Sequence, residues 1–171
     1  MLIPKIIIPD LRTDHAGETG AVFIYKGILL VSKDKEIIKF ANDHLLTEKK
    51  HLELIEEILP NSEKSKLLFL WKFLGLLTGL IPALIGKKFI YATIYFVESF
   101  VEKHYSEQIL ILKKEKKAFQ LVQLLEKLKN DEISHKEDSL KRFGKLSFLL
   151  RIWGYIVEIG SKTAVSISYK I

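Results

Sequence analysis

The feature that most restricts this chain is a spacing that occurs twice. Glu18 is followed 30 residues later by Glu48, and His51 stands three positions beyond. In the second half Glu98 is followed 34 residues later by Glu132, and His135 again stands three positions beyond. The copies are offset by 80 residues at the lone Glu and by 84 at the Glu-x-x-His. Each of these residues lies in line, at helical period, with apolar side chains. Glu18 shares a face with Ala21, Val22, Tyr25 and Leu29, and Glu48 and His51 with Ile37, Ala41, Leu45, Leu52, Ile55 and Leu59. Glu98 lines up with Tyr91, Ile94, Tyr95, Val101, Tyr105 and Ile109, and Glu132 and His135 with Leu121, Leu125, Leu128 and Phe143. A period near 3.6 over four long segments predicts four amphipathic helices and an all-α fold. It also turns four carboxylates inward, where an uncompensated charge is very costly.

The predicted helices run from about Thr13 to Val31, Lys33 to Leu59, Lys88 to Lys114 and Ala118 to Arg142. Residues 1–12, with Pro4 and Pro9, are expected to be extended, so that Thr13 or Asp14 caps the first helix. The stretch DHAGETGA would then form its first turns, with Gly17 and Gly20 allowing close approach to the metal and to partner helices. Between the repeats lies KLLFLWKFLGLLTGLIPALIGKKF. Its uncharged run from Phe73 to Ile85 falls short of the roughly 20 apolar residues of a spanning helix, and Pro82 interrupts it. Residues 67–86 are therefore read as a buried or membrane-associating helix, with Trp71 and the flanking lysines suited to an interface. The tail from Leu146 to Ile171 is apolar and helical, with Gly154 and Gly160 as close-packing or breaking points. No Gly/Ser-rich linker divides the chain, and 1–171 reads as a single domain.

The absence of Cys excludes disulfides, thiolate zinc sites, iron–sulfur clusters and cysteine nucleophiles. Any metal must be held by carboxylate and imidazole, which suits iron or manganese. Taken singly, Glu18 reads as a first-turn carboxylate favoured by the helix dipole. Glu48 or Glu132 alone reads as a face-boundary surface residue, and either His as a hydrogen-bonded core residue. Taken together, four carboxylates balance the charge of two divalent ions, and the i, i+3 step presents Glu and His from one turn. The set resembles the ligand pattern of ferritin-like di-iron and di-manganese four-helix bundles. Around it, Tyr105 either reaches the site or fills the core, and His15 either supports a ligand or caps a helix. Glu102 reads as a surface carboxylate, and His44 as a bystander or a support for a ligand.

The motifs DHAGETGAVFIYKG, EKKHLE, VESFVEKHYSEQI and DEISHKED together resemble the demethoxyubiquinone hydroxylase family, from about Arg12 to the C-terminus. The resemblance implies a ferritin-like bundle with additional apolar, membrane-associating helices. It implies two iron ions held by Glu18, Glu48, His51, Glu98, Glu132 and His135. It matches the family's His-Tyr pair, linked to substrate or electron transfer, to His104 and Tyr105. The closing SISYKI departs from the family's Ser-Glu-Arg-hydrophobic ending, with Tyr169 at the Glu position and Ser166 where some members have an aromatic.

The implied reaction is oxygen-dependent hydroxylation of the ring of a polyprenylated demethoxyubiquinol, with NADH or the quinol itself as electron source. A membrane lipid surface, and a ubiquinone-biosynthesis protein complex or a homo-oligomer, are the implied partners. The net charge of +6, nearly all from Lys, favours anionic lipid. No basic stripe interleaved with exposed aromatics points to nucleic acid. MLIPKIIIPD is too short and proline-broken for a secretory signal, and no Arg-rich transit peptide is visible. The expectation is a peripheral membrane protein on the cytoplasmic face of a bacterial inner membrane, or on the matrix side of a mitochondrial one. The competing functions are a ferritin-like iron-oxidising or peroxide-scavenging protein, which needs no lipid, and a non-catalytic membrane-surface bundle, which needs no metal.

Overall fold

The computed structural model describes residues 3–115 and 118–171; Met1 and Leu2, expected to be extended, lie outside the described residues. Six helices follow one another: α1 (Ile8–Val31), α2 (Lys35–Ile58), α3 (Leu68–Ile85), α4 (Lys87–Glu115), α5 (Phe119–Phe143) and α6 (Phe148–Ser168). No strand occurs among the described residues, as a ferritin-like helical bundle requires.

The four helices predicted from the repeat form within a few residues of their expected bounds, except at the start of α1. Residues 5–7 make a 3-10 turn and α1 begins at Ile8, with Pro9 in its first turn. A proline there costs nothing, because the first amides of a helix have no intrahelical partner. The prolines therefore mark a helix start, and DHAGETGA lies in the helix interior. Thr13 and Asp14 do not cap: Thr13 Oγ1 donates to the carbonyl of Asp10 at 2.7 Å, and Asp14 accepts from Gln108 Nε2 at 2.7 Å. In α2 the cap is Asp34, whose carboxylate accepts from the amides of Glu36 and Ile37 at 2.8 and 3.4 Å. The chain leaves α5 at Gly144, whose φ of 71° belongs to the left-handed region that glycine adopts freely.

Each bundle helix crosses the same three levels. One apolar cluster holds Val22, Tyr25, Ile28, Phe40, Ala41, Ile90, Ile94 and Phe143. The other holds Ile7, Leu11, Ile55, Tyr105, Ile109, Leu121, Leu125 and Leu128. Along every bundle helix the residues of the repeated spacing fall between the two. Helices α1 and α5 run from the second cluster to the first, and α2 and α4 run the other way. The fold thereby sets a polar layer in mid-bundle with apolar packing above and below.

Helix α3 packs along α1 and α6 packs on α4, with lesser contacts of α3 to α4 and of α6 to α1. The face of α3 turned inward is Trp71, Gly75, Gly79 and Pro82. A Cβ at Gly75 would lie 2.4 Å from the carbonyl oxygen of Gly20, and one at Gly79 only 1.9 Å from that of Ile24. The two backbones touch, as in small-xxx-small helix pairs. Gly20 lends only its backbone to this approach: a Cβ on it would meet the carbonyl oxygen of Trp71 at 3.9 Å, an ordinary contact, so the closeness is owed to the glycines of α3 and the reading of Gly20 as a spacer is corrected. Gly17 has nothing within 4 Å, so the reading of it as a spacer is corrected. Pro82 does not interrupt α3: only its own link back to the Thr78 carbonyl is missing, the helix continues to Ile85, and the Gly86 amide donates to the Pro82 carbonyl. Among the described residues α3 is the one helix long and apolar enough to cross a membrane by length and composition, at 18 residues and a mean hydropathy of 2.0. In α6, Gly154 is a close-packing point against the ring of Phe96, whereas nothing approaches Gly160 and the helix runs through it.

Candidate metal centre

Six side chains from four helices meet in the polar layer. Helix α1 brings Glu18, α2 brings Glu48 and His51, α4 brings Glu98, and α5 brings Glu132 and His135; all are buried, Glu48 completely. Their ligand atoms form two groups, Glu18, Glu48, His51 and Glu132 in one and Glu48, Glu98, Glu132 and His135 in the other. Within each group one oxygen or ring nitrogen per residue lies within 4.8 Å of the rest. Glu48 and Glu132 belong to both groups, so the arrangement offers two adjacent cation positions with two shared carboxylates.

The imidazoles point the same way. Nδ1 of His51 lies 2.9 Å from Glu132 Oε1, and Nδ1 of His135 lies 2.9 Å from Glu48 Oε1. On its far side His51 Nε2 meets Asp131 at 3.1 Å, the carboxylate–histidine arrangement that fixes a metal-facing ring nitrogen.

Buried polar atoms are normally paired. Fourteen buried side-chain atoms among the described residues are not, and seven of them gather here: Glu18 Oε2, both oxygens of Glu48, both of Glu132, and Nδ1 of His51 and of His135. Several lie within 3 Å of one another yet out of line for a hydrogen bond. All seven belong to the two groups. Hard oxygen donors, two imidazoles and inward-aimed orphan lone pairs fit a pair of iron or manganese ions.

The electrostatics agree. Burial drives Glu18 and Glu98 well above the usual carboxylate range, and their carboxylate neighbours push further. Burial also pushes Glu132 up, but His135 and His51 outweigh it and hold it at about 2. The same contacts overcome the burial of the rings and raise His51 to about 10 and His135 to about 9. Protein groups alone thus share protons to avoid four adjacent negative charges. Divalent cations would take the place of those protons.

The surrounding residues resolve the open readings. Tyr105 reaches the site, its hydroxyl donating to Glu18 at 2.5 Å. His104 does not; it turns to Thr13 Oγ1 at 2.6 Å and Asp14 at 3.4 Å, in a polar cluster closed by Gln108. His15 neither touches the six nor caps, but joins α1 to α2 through Glu56 at 3.1 Å. Glu102 accepts from Lys136 away from the site. His44 lies against the centre, stacked on His135 with ring centroids 4.1 Å apart. Sequence reasoning missed Tyr25, whose hydroxyl donates to Glu98 at 3.3 Å, and Asp131. The apolar stripe of α1 includes Tyr25; a hydroxyl two turns from the core-facing Glu18 was the available signal. Asp131 reaches a partner on another helix and left none.

Comparison with known proteins gives one answer. The curated relatives include the human protein named "NADPH-dependent 3-demethoxyubiquinone 3-hydroxylase, mitochondrial", 30% identical over 165 residues, covering 94% of this chain and 76% of the relative. A Caenorhabditis elegans protein of the same name is 28% identical, covering 99% of this chain and 91% of the relative. A Rhodospirillum rubrum protein named "3-demethoxyubiquinol 3-hydroxylase" is 24% identical, covering 94% and 76%. The family described as "Ubiquinone biosynthesis protein COQ7" matches residues 6–168, which include the whole of the doubled Glu and Glu-x-x-His spacing. By that match this chain belongs to the ubiquinone biosynthesis protein COQ7 family.

Proposed function

We propose that this protein is a di-iron monooxygenase that hydroxylates the ring of a polyprenylated demethoxyubiquinol, with molecular oxygen as co-substrate. The observation that carries the reading is the pair of overlapping ligand groups sharing Glu48 and Glu132, in a chain whose relatives are named for that reaction. Glu18 and His51 would complete one iron position, and Glu98 and His135 the other. When loaded, the centre would supply reductive activation of oxygen, one atom entering the ring and the other leaving as water.

The protein's own groups have distinct parts in this reading. The apolar clusters above and below the layer keep bulk water from it. The hydroxyl of Tyr105 donates to Glu18 and that of Tyr25 to Glu98, which orients both outer carboxylates. The polar cluster of His104, Thr13, Asp14 and Gln108 lies beside Tyr105, and this placement supports a role for the His104–Tyr105 pair in electron or substrate handling. The reductant is a reduced nicotinamide nucleotide or the quinol itself. Several relatives are named for NADPH where the sequence reading named NADH, so both enter the assay.

Lipid access is read from α3 and α6. Phe69 is 85% exposed and Phe148 76%, and Phe73, Leu84, Ile152 and Ile156 continue the apolar surface of the two helices. Lys66, Lys72, Lys87, Lys88 and Arg151 flank it. Large apolar side chains exposed on both helices, with basic residues close by in sequence, favour peripheral seating on anionic lipid. Such seating gives a prenylated substrate a way in. It also separates this reading from an iron-storage or peroxide-scavenging bundle, which has no use for such a face. Relatives carry both mitochondrial and bacterial labels. We keep the bacterial inner membrane as the first proposal for this Lys-rich chain.

The test is turnover of vesicle-bound demethoxyubiquinol under oxygen-18 gas with NADPH or NADH. One labelled oxygen in the product is expected, with none formed by Glu48→Ala or His135→Ala. Unlabelled product, or full activity in either variant, overturns the reading.

A further inference from the structure

The two overlapping ligand groups are supported unequally. In the group that holds Glu18 and His51, Tyr105 donates to Glu18 at 2.5 Å and the Asp131 carboxylate faces Nε2 of His51 at 3.1 Å. In the group that holds Glu98 and His135, the supporting side chain is His44. It lies on α2 one turn before Glu48 and is 6% exposed. Its ring stacks on that of His135, the planes 21° apart. Its Nδ1 lies 3.1 Å from the Tyr25 hydroxyl, which donates to Glu98. Its Nε2 lies 3.3 Å from Asp138, whose carboxylate accepts from Arg142 Nε at 2.9 Å. Arg142 in turn lies over the rings of Phe40 and Tyr91 and reaches Glu36. One imidazole therefore touches, directly or through one hydroxyl, both residues that belong to the second group alone. It makes no such contact with Glu18 or His51.

We propose that His44, anchored by Asp138, is a positioning residue for the Glu98–His135 metal position and sets the affinity of that position separately from its neighbour. The proposal rests on the metal reading given above. The stack limits the rotation of His135, whose Nδ1 must stay aimed between Glu48 at 2.9 Å and Glu132 at 3.5 Å. The link through Tyr25 limits the swing of Glu98. Without His44 both outer ligands of this position gain freedom that binding must then remove. Groups that orient metal ligands from behind change affinity by about tenfold to a hundredfold when removed. The other position keeps Tyr105 and Asp131, so it should not respond. The chain would then fill in two steps of different affinity, with the Glu98–His135 position the adjustable one.

The experiment is an anaerobic titration of metal-free protein with ferrous ion, counting bound iron per chain. Wild type should bind two irons. His44→Ala should bind the first as wild type does and the second about tenfold or more weakly. His44→Phe keeps the ring against His135 while losing the link to Tyr25, and guards against a packing defect; it should weaken the second iron by a smaller factor. Two further backgrounds assign the position. In Glu98→Gln, where that position is already impaired, His44→Ala should add nothing; in Glu18→Gln it should weaken the remaining iron by the same factor of about ten or more. Equal weakening of both steps, or unchanged binding in both His44 variants, overturns the proposal while leaving the metal reading intact. Wild-type protein that binds no iron overturns both.

Discussion

Gly79→Ala puts the contact between α3 and the bundle to a numerical test. A methyl group at this position would sit 1.9 Å from the carbonyl oxygen of Ile24 and 2.7 Å from its carbon. Ordinary contact begins near 3.4 Å, so the two backbones must part locally by about 1.5 Å. Neither obstacle is a side chain that can swing aside. Overpacking of this kind costs about 1–3 kcal/mol, and a backbone-on-backbone clash belongs at the upper end. The helix propensity of Ala returns about 1 kcal/mol. The net loss should be about 1–2 kcal/mol, which for a chain of this size lowers the melting temperature by roughly 2–8 °C. Gly17→Ala is the internal control, because nothing lies within 4 Å of its added methyl. It should gain about 0.4–1 kcal/mol and raise the melting temperature by roughly 1–4 °C. Thermal unfolding followed by circular dichroism measures both. If Gly79→Ala stabilises as Gly17→Ala does, α3 does not sit on α1 as described.

Other outcomes follow from the site. Tyr105→Phe leaves a buried Glu18 oxygen without its donor, and should lower the stability of metal-free protein by about 1–3 kcal/mol in urea unfolding. Metal loading should strengthen as pH rises. His51 and His135, held at about 10 and 9, keep their protons at neutral pH and must release them for Nδ1 to bind. Each released proton multiplies the apparent affinity by about ten per pH unit, so a flat titration between roughly pH 6 and 8 would refute this picture. Replacing Phe69 and Phe148 together by Ser should weaken binding to anionic vesicles about tenfold or more. It should leave stability within roughly 0.5 kcal/mol, because both rings are already in solvent.

The parts of this structure legible in the sequence were those with a local period. Glu18, Glu48, His51, Glu98, Glu132 and His135 stood out because each placed a polar group on an apolar stripe, and their convergence needed only four helices folded as two hairpins. The start of α1 was misread because Pro4 and Pro9 are compatible with an extended strand or with a helix beginning, and only the chain around them decides. The role of Gly75 and Gly79 depends on which helix they meet, which no periodicity within α3 records. The same holds for Tyr25 with Glu98, Asp131 with His51, and His44 with Asp138, since each pairs groups 73 to 94 positions apart on different helices. Residues that share a face on one helix can be grouped by counting. Residues that meet across helices require the packing.

The central claim is that the doubled spacing builds two metal positions that have Glu48 and Glu132 in common. Iron counted per chain after anaerobic loading tests it most directly. Wild type should hold two irons, Glu18→Ala and Glu98→Ala one each, and Glu48→Ala none held tightly, because the shared ligand serves both. Two irons retained in Glu48→Ala, or none in the wild type, would contradict the account.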